Sequence, residues 1–522
     1  MPEQNSNDPA QNLSQANKLT AKALYSRLDG DRYVSLQRAR DCSALTLPGL
    51  IPPIYATENT ELATPFQSVG ARGVNNLSSK LLMALFPPGM PCFRLKIREA
   101  VAKALGDSLS TIQASLGGVE RTVNDAMEQG HVRPLMAEVL KHLIVGGNVL
   151  MHVPDRHNMR MFRMDQYVIA RDNMSRPLRA VVYESTVVEA LTDDVAGACR
   201  VDKTDPYAKV DIYTMIDWDY DTKAGREVSY QEINDIRVPG TDTDRPLDKS
   251  EWIPLRWIAV PNKNYGRSHC EEYLGDLRSL EGLNEAIVQF SQAAAKIIML
   301  VHPNSTTSVA DINNAESGDA VVGSKADIDM LQLEKQADFQ VADSVASRLE
   351  QRLSYAFLLT TGTTRNAERV TAEEIRANAQ ELEDALGGVY TVLAQELQLP
   401  LIRRLMASMT ESGEIPALPK RALDPVIVTG FEALGRNHEM NRLRQLFADL
   451  SNTFGPQVIA QRVQFDEVAK RYATGYGVEK PEDLFKSDDQ VNQEMQQQNM
   501  AMGMQRAAPQ IAKGIADKVN QQ

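Results

Sequence analysis

The chain has 522 residues, too many for one ordinary core, so two to four domains or subdomains are expected. Hydrophobic residues make up 43% of it, which excludes a chain disordered throughout, while a net charge of −13 and only 6% aromatics disfavour a sequence-reading or base-stacking nucleic-acid binder. Cys42, Cys92, Cys199 and Cys270 are scattered without CxxC spacing, the polar N-terminus lacks a signal-peptide pattern, and no run of about 18 apolar residues occurs; a disulfide framework, a zinc site and a membrane span are not expected, and a reducing compartment fits.

Residues 1 to about 16 are rich in Gln, Asn and Ser and read as frayed. A helix is expected over Lys18–Arg40, then a proline-rich loop around residues 47–54. Val74, Leu77, Leu81 and Leu85 recur at three- and four-residue steps, which predicts an amphipathic helix stopped by Pro87 and Pro88. Helical patterning continues over 99–129 and 132–145, and Gly146–Gly147 reads as a turn. Short β-like runs follow at Asn148–Val153, Arg160–Ala170, Arg179–Val188, Lys209–Trp218 and Val228–Val238, the pattern of a meandering, mostly antiparallel sheet.

Beyond Tyr273 the pattern changes. Leu280, Leu283, Ile287, Phe290, Ala294, Ile297 and Val301 form a heptad seam that predicts one long helix closed by Pro303. It suits either a buried core helix or a helix packed against neighbouring copies of the chain. Residues 303–338 show little periodicity, and Val341, Val345, Leu349, Leu353 and Ala356 mark a second helix. A polar loop over Thr360–Val370 carries Arg365 and Arg369 against Glu368. It reads either as a solvated turn or as a mobile loop touching phosphate without base specificity. Thr371 and Glu374 form a capping box that opens a helix, expected to bend at Gly387–Gly388 and near its end at Pro400. Two helical patterns, about 436–451 and 456–473, precede a Gln/Met/Ala-rich tail that is either a weak surface helix or disordered.

Chemical motifs are scarce. No P-loop, HExxH or GxSxG occurs, and His152 and His157, five apart, lack the constellation of a zinc site. The sharpest cluster is Asp217, Asp219 and Asp221, whose alternate spacing puts three carboxylates on one side of a strand. They would either hold a divalent metal, as in a two-metal nuclease, or form a solvated acidic turn.

The chain contains GARGVNNLSSKL at 70–81 with ALFPP at 84–88, LIVGGNVL at 143–150, YGRSHCEEYLGDL at 265–277, ERVTAEEI at 368–375, LGGVY at 386–390 and QELQLPL at 395–401. Together these segments resemble the portal proteins, or head-to-tail connectors, of short-tailed podovirus-type phages. The resemblance spans about residues 20–440. It implies a helix-dominated α+β portal-type fold: an α/β wing at 1–270, a stem helix at 271–302, a clip at 303–338 and a second stem helix at 339–359. A tunnel loop at 360–370, a wing spine helix and linker at 371–431 and a helical crown with a flexible tail at 432–522 complete it. It also implies a non-enzymatic subunit, without cofactor or metal, of a closed homo-oligomeric ring, usually of twelve, at the capsid vertex of the virion, assembled in the host cytoplasm. The ring passes double-stranded DNA non-specifically. Its implied partners are the terminase motor, the major capsid and scaffolding proteins, a tail adaptor and internal core proteins, and no membrane. Arg365 or Arg369 is the implied channel valve. The competing readings are a metal-dependent nuclease on Asp217, Asp219 and Asp221, and a capsid scaffold or internal core protein.

Overall fold

The computed structural model describes residues 19–57, 59–88, 92–97, 109–130, 132–221, 225–294, 299–304, 308–324, 326, 328–330, 336–359, 382, 385–386, 388–416, 426–429, 436–455 and 468. The chain divides into two compact units, Met1–Ala433 and Leu434–Gln522. In the first unit the elements are α1 (Ala21–Ala44), α2 (Val69–Leu85), β1 (Phe93–Lys96), α3 (Leu109–Gln129), α4 (Val132–Gly146), β2 (Asn148–His152), β3 (Arg160–Phe162), β4 (Tyr167–Arg171) and β5 (Pro177–Val187). They continue with α5 (Asp193–Ala198), β6 (Lys209–Asp219), β7 (Arg226–Ile233), β8 (Ile236–Arg237), β9 (Thr243–Pro246), β10 (Trp252–Arg256), α6 (His269–Glu272) and α7 (Leu274–Ala294). Then come β11 (Met299–Val301), α8 (Val309–Asn314), β12 (Ile328–Met330), α9 (Gln336–Ala356), α10 (Val389–Leu393), α11 (Leu399–Glu411) and β13 (Val426–Thr429). The second unit contributes α12 (Arg436–Phe454). No helix among the described residues is long and apolar enough to cross a membrane.

The centre of the first unit is an antiparallel sheet of order β4-β5-β6-β7-β8, with β9 also on β7. Side chains alternate faces along a strand, so neighbours in register share a face. Val168, Val181 and Met215 face the first half of α1, packing with Ala21, Leu24 and Leu28. Ile169, Ala180, Val182 and Ile216 join a separate core with Leu36 and Ala39 of the same helix. Both faces are thereby buried against this chain's own residues. Thr20 caps α1, its hydroxyl accepting from the Ala23 amide. Arg32 interrupts the apolar stripe yet is buried, because its guanidinium donates to the carbonyls of Met164 (3.0 Å) and Tyr167 (2.8 Å).

A second sheet, β10-β2-β3, lies beside it. Arg404 of α11 ties the helical layer to this sheet. Buried itself, it donates to Val153 O (3.0 Å) and to the buried Glu251 carboxylate (3.0 Å), which also pairs with Arg245 (2.6 Å). Burial pushes the Glu251 carboxyl up, but His152, Arg245 and Arg404 outweigh it and hold the group below its ordinary range.

Four sequence expectations change. The run Arg160–Ala170 is two strands in different sheets, split by a turn in which the Gln166 amide donates to Arg163 O (2.9 Å). The run Val228–Val238 is a hairpin, because Asn234 and Asp235 both take positive φ (52° and 60°), the backbone of a type I′ turn. The heptad helix, described over Leu274–Ala294, does not continue to Val301. Met299–Val301 is a strand paired with Ile328–Met330; an apolar run so short fits helix or strand, and the partner decides. Pro400 lies near the start of α11 and not near the end of its helix, which runs on to Glu411. The chain runs from left-handed Gly388 (φ 92°) through α10, a π-helical turn at Ala394–Gln398, and on to Glu411. Pro400 has no N–H to give the fourth carbonyl behind it, and the wider turn sits immediately before it. The pairing of β1 with β13 was not anticipated; each strand is four residues long and they meet only in the fold.

Candidate functional site

The loop at Thr360–Val370, with Arg365 and Arg369, and the capping box at Thr371 and Glu374 lie outside the described residues. The chain is described up to Leu359, so the point from which that loop departs is defined: the C-terminal end of α9.

α9 packs antiparallel along α7. Arg352 pairs with Asp276 (2.9 Å) near the base, and Phe339 stacks on Phe290 (5.0 Å between ring centroids) farther out. Near the base the seam is closed, with Leu277, Leu280, Ala346, Leu349 and Leu353 buried. Farther along it opens. Leu283, Ile287 and Phe290 are half-buried, Val345 is 39% exposed and Val341 64% exposed. An open cleft at the base is lined by Glu272, Tyr273, Asp276, Gln351, Arg352 and Tyr355, and Tyr355 is 75% exposed.

α9 stops in a Schellman turn, in which backbone donors beyond the helix return to its last carbonyls. The Leu358 amide donates to Tyr355 O (3.1 Å) and the Leu359 amide to Ser354 O (2.8 Å). The residue at the left-handed position is usually glycine. Here it is Leu358, at φ 54° and 7% exposed. A left-handed conformation costs an L-residue with a side chain about 1–2 kcal/mol, so the surroundings must hold it there.

They do so with three side chains. Asn76 Nδ2 donates to Phe357 O (3.1 Å) and Leu358 O (2.9 Å), and Lys80 Nζ donates to Leu358 O (3.2 Å). His269 Nε2 bonds Ala356 O at 3.1 Å, which requires the proton on Nε2. Burial pushes the His269 pKa down, opposed by that carbonyl bond, so the ring is neutral at pH 7. Phe357 is fully buried over Gly73, where a Cβ would stand 2.5 Å from its ring, and it meets His269 edge-on (5.2 Å).

The sequence supplies these groups from separated segments. Gly73, Asn76 and Lys80 recur on α2 at three- and four-residue steps, a second stripe beside Val74, Leu77 and Leu81. Ser268 caps α6, accepting from the Glu271 amide (3.0 Å), which presents His269. Asn148 fixes the approach to α6 by exchanging two bonds with the backbone of Gly266 (2.7 and 3.0 Å). Left-handed Gly147 (φ 74°) lets the chain pass Arg267, whose carbonyl carbon would lie 2.7 Å from an added Cβ. Residues from 70–81 and 265–277 thus converge on one helix terminus, and Gly147 and Asn148 hold the second of these segments in place. Periodicity alone did not single out Asn76, Lys80, His269 or Leu358, since polar residues beside an apolar stripe read as a solvated face.

The acidic cluster does not assemble. Asp217 is cross-strand from Arg179 and bonded to it (2.5 Å), and burial raises its pKa against that pairing. β6 ends at Asp219, so Asp221 lies in the turn beyond, where its amide donates to Asp219 Oδ1 (2.9 Å). Among the described residues no three His, Cys, Asp or Glu side chains come together as a metal site.

Residues 18–482 match the family of bacteriophage head to tail connecting proteins. The chain belongs to that connector family. It is 40% identical to the portal protein of Enterobacteria phage T3 over 506 residues, covering 95% of this chain and 93% of the relative. It is also 40% identical to the portal protein of Escherichia phage T7 over 511 residues, covering 95% and 94%. Among solved structures it is similar to the neck of an empty GTA particle computed with C6 symmetry, at 12% identity, a TM-score of 0.36, and coverage of 74% of this chain and 86% of that one. That likeness is too slight to bear on the assignment, which stands on the sequence matches. As a member of that family the chain is a portal protein, connecting the head of a phage particle to its tail.

Proposed function

We propose that this connector is one subunit of a closed ring of twelve, in which neighbouring copies cover the apolar seam that α7 and α9 leave open. A heterologous contact repeated by rotation closes on itself without a free end. The observation that carries this reading is the rise in exposure along one continuous seam, from buried Leu353 to Val341 at 64%. A hairpin complete in itself has no reason to keep that spacing where nothing covers it.

In this reading residues 1–270 are the wing, 271–302 and 339–359 the stem, 303–338 the clip, 371–431 the wing spine and linker, and 432–522 the crown and tail. The first stem helix corresponds to α7, described over Leu274–Ala294. The loop at 360–370 faces the channel, with Arg365 or Arg369 touching the phosphates of double-stranded DNA. An acidic chain clings weakly to DNA, which suits passage. The ring is passive and non-catalytic: the terminase motor drives packaging, capsid, scaffolding and internal core proteins surround the ring, and a tail adaptor attaches to it.

Electron microscopy of the purified protein is expected to show rings with a central hole; a stable monomer at high concentration overturns the reading. Plasmid incubated with the protein and magnesium is expected to stay intact. Arg365→Ala or Arg369→Ala is expected to leave rings intact and impair packaging or DNA retention. Full, stably filled heads from both variants would reduce the loop to a hinge.

A further inference from the structure

We propose that Gly73, Asn76 and Lys80 of α2 act as a positioning clamp on Leu358, a strained helix stop that sets the direction in which the chain leaves α9 toward the loop at 360–370. The link to DNA rests on the channel reading of that loop; the clamp itself stands on the described residues alone.

Three observations carry it. First, Leu358 holds a backbone conformation that its side chain opposes, at the position of a Schellman turn where glycine costs nothing. Second, its carbonyl accepts from both Asn76 Nδ2 and Lys80 Nζ, and the Lys80 side chain is brought inside to do so, at 2% exposure. Surface water would satisfy a helix-end carbonyl without burying an amine, so satisfaction alone does not explain the arrangement. Third, Gly73 removes the one side chain that would push Phe357, and with it the whole terminus, off α2. The three residues form one stripe on a rigid helix, so the terminus is referenced to the body of the subunit and not to the outer, half-exposed part of the stem.

The test uses assembled full-length rings carrying Asn76→Ala, Lys80→Met, Leu358→Ala or Leu358→Gly. Amide exchange in the peptide containing Phe357–Leu359 is expected to quicken roughly tenfold in Lys80→Met, the effect of one lost hydrogen bond of ordinary strength, and by at least as much in Asn76→Ala, which loses the bonds to both Phe357 O and Leu358 O. Leu358→Gly is expected to exchange more slowly than Leu358→Ala by roughly fivefold to thirtyfold, the reverse of the usual helical order, because both lose the side chain and only alanine keeps the strain. Heads built with Asn76→Ala are expected to leak DNA, and Asn76→Ala with Leu358→Gly is expected to retain more than Asn76→Ala with Leu358→Ala. Unchanged exchange in both clamp variants, or equal exchange for alanine and glycine at 358, overturns the clamp. Faster exchange with full retention, while Arg365→Ala or Arg369→Ala leaks, overturns its role toward the loop. If neither arginine variant leaks, the channel reading of the loop falls, and the exchange data still decide the clamp.

Discussion

The central sheet and the α7–α9 hairpin are built from equally regular apolar patterns, yet they end differently. In the sheet, Val168, Val181 and Met215 on one face and Ile169, Val182 and Ile216 on the other are all covered by residues of the same chain. In the hairpin the base is covered and the outer seam is not. The difference separates what one subunit completes alone from what it leaves for a neighbour. It also locates the candidate site, because the clamped end of α9 lies on the completed side of that boundary.

The largest effect is expected at Arg404. Arg404→Ala removes a buried side chain together with its bonds to Val153 O and to the Glu251 carboxylate, which keeps Arg245 and His152, and the combined loss is expected to cost about 3 kcal/mol. Urea unfolding of the purified variant checks this, and a change under 1 kcal/mol would show the joint between α11 and the β10-β2-β3 sheet to be dispensable. Within the hairpin, Leu353→Ala at the buried base is expected to cost about 2–5 kcal/mol. Val341→Asp on the open seam is expected to alter the stability of the subunit by only about 0.5 kcal/mol while preventing rings, as read by sedimentation. Equal costs at the two positions would break the comparison.

A smaller effect concerns acid. Burial, reinforced by Arg163, pushes the His142 pKa down to about 4, and its Nδ1 has no hydrogen-bond partner among the described residues. His269 is shifted the same way. A histidine whose folded pKa is depressed takes up protons more readily when unfolded, so stability rises with pH across the window between the two values. The neutral histidines contribute fully above about 6.5, the unfolded value, and the contribution is lost as pH falls toward about 4. For His142 the whole window amounts to something on the order of 3 kcal/mol. Comparing unfolding at the two ends of it, His142→Leu is expected to remove a large part of the dependence. An unchanged slope would place the loss on the carboxylates.

Much was legible in the sequence because it depends on local repetition. The α2 stripe, the β5 and β6 strands, the α7 start and the α9 face follow from spacings of two, three and four residues, and the connector family was recognisable in motifs such as 70–81 and 265–277. What the tertiary structure decided is where distant segments meet. The strand at Met299–Val301 exists because Ile328–Met330 pairs with it, and β1 and β13 exist because they find each other. Lys80 and Asn76, polar residues on a helix, became the holders of Leu358 O only once α2 was laid against the end of α9. Periodicity states which side of an element avoids water, since that is a property of the element alone. Which carbonyl a buried amine must reach is a property of the packing, and no single segment carries it.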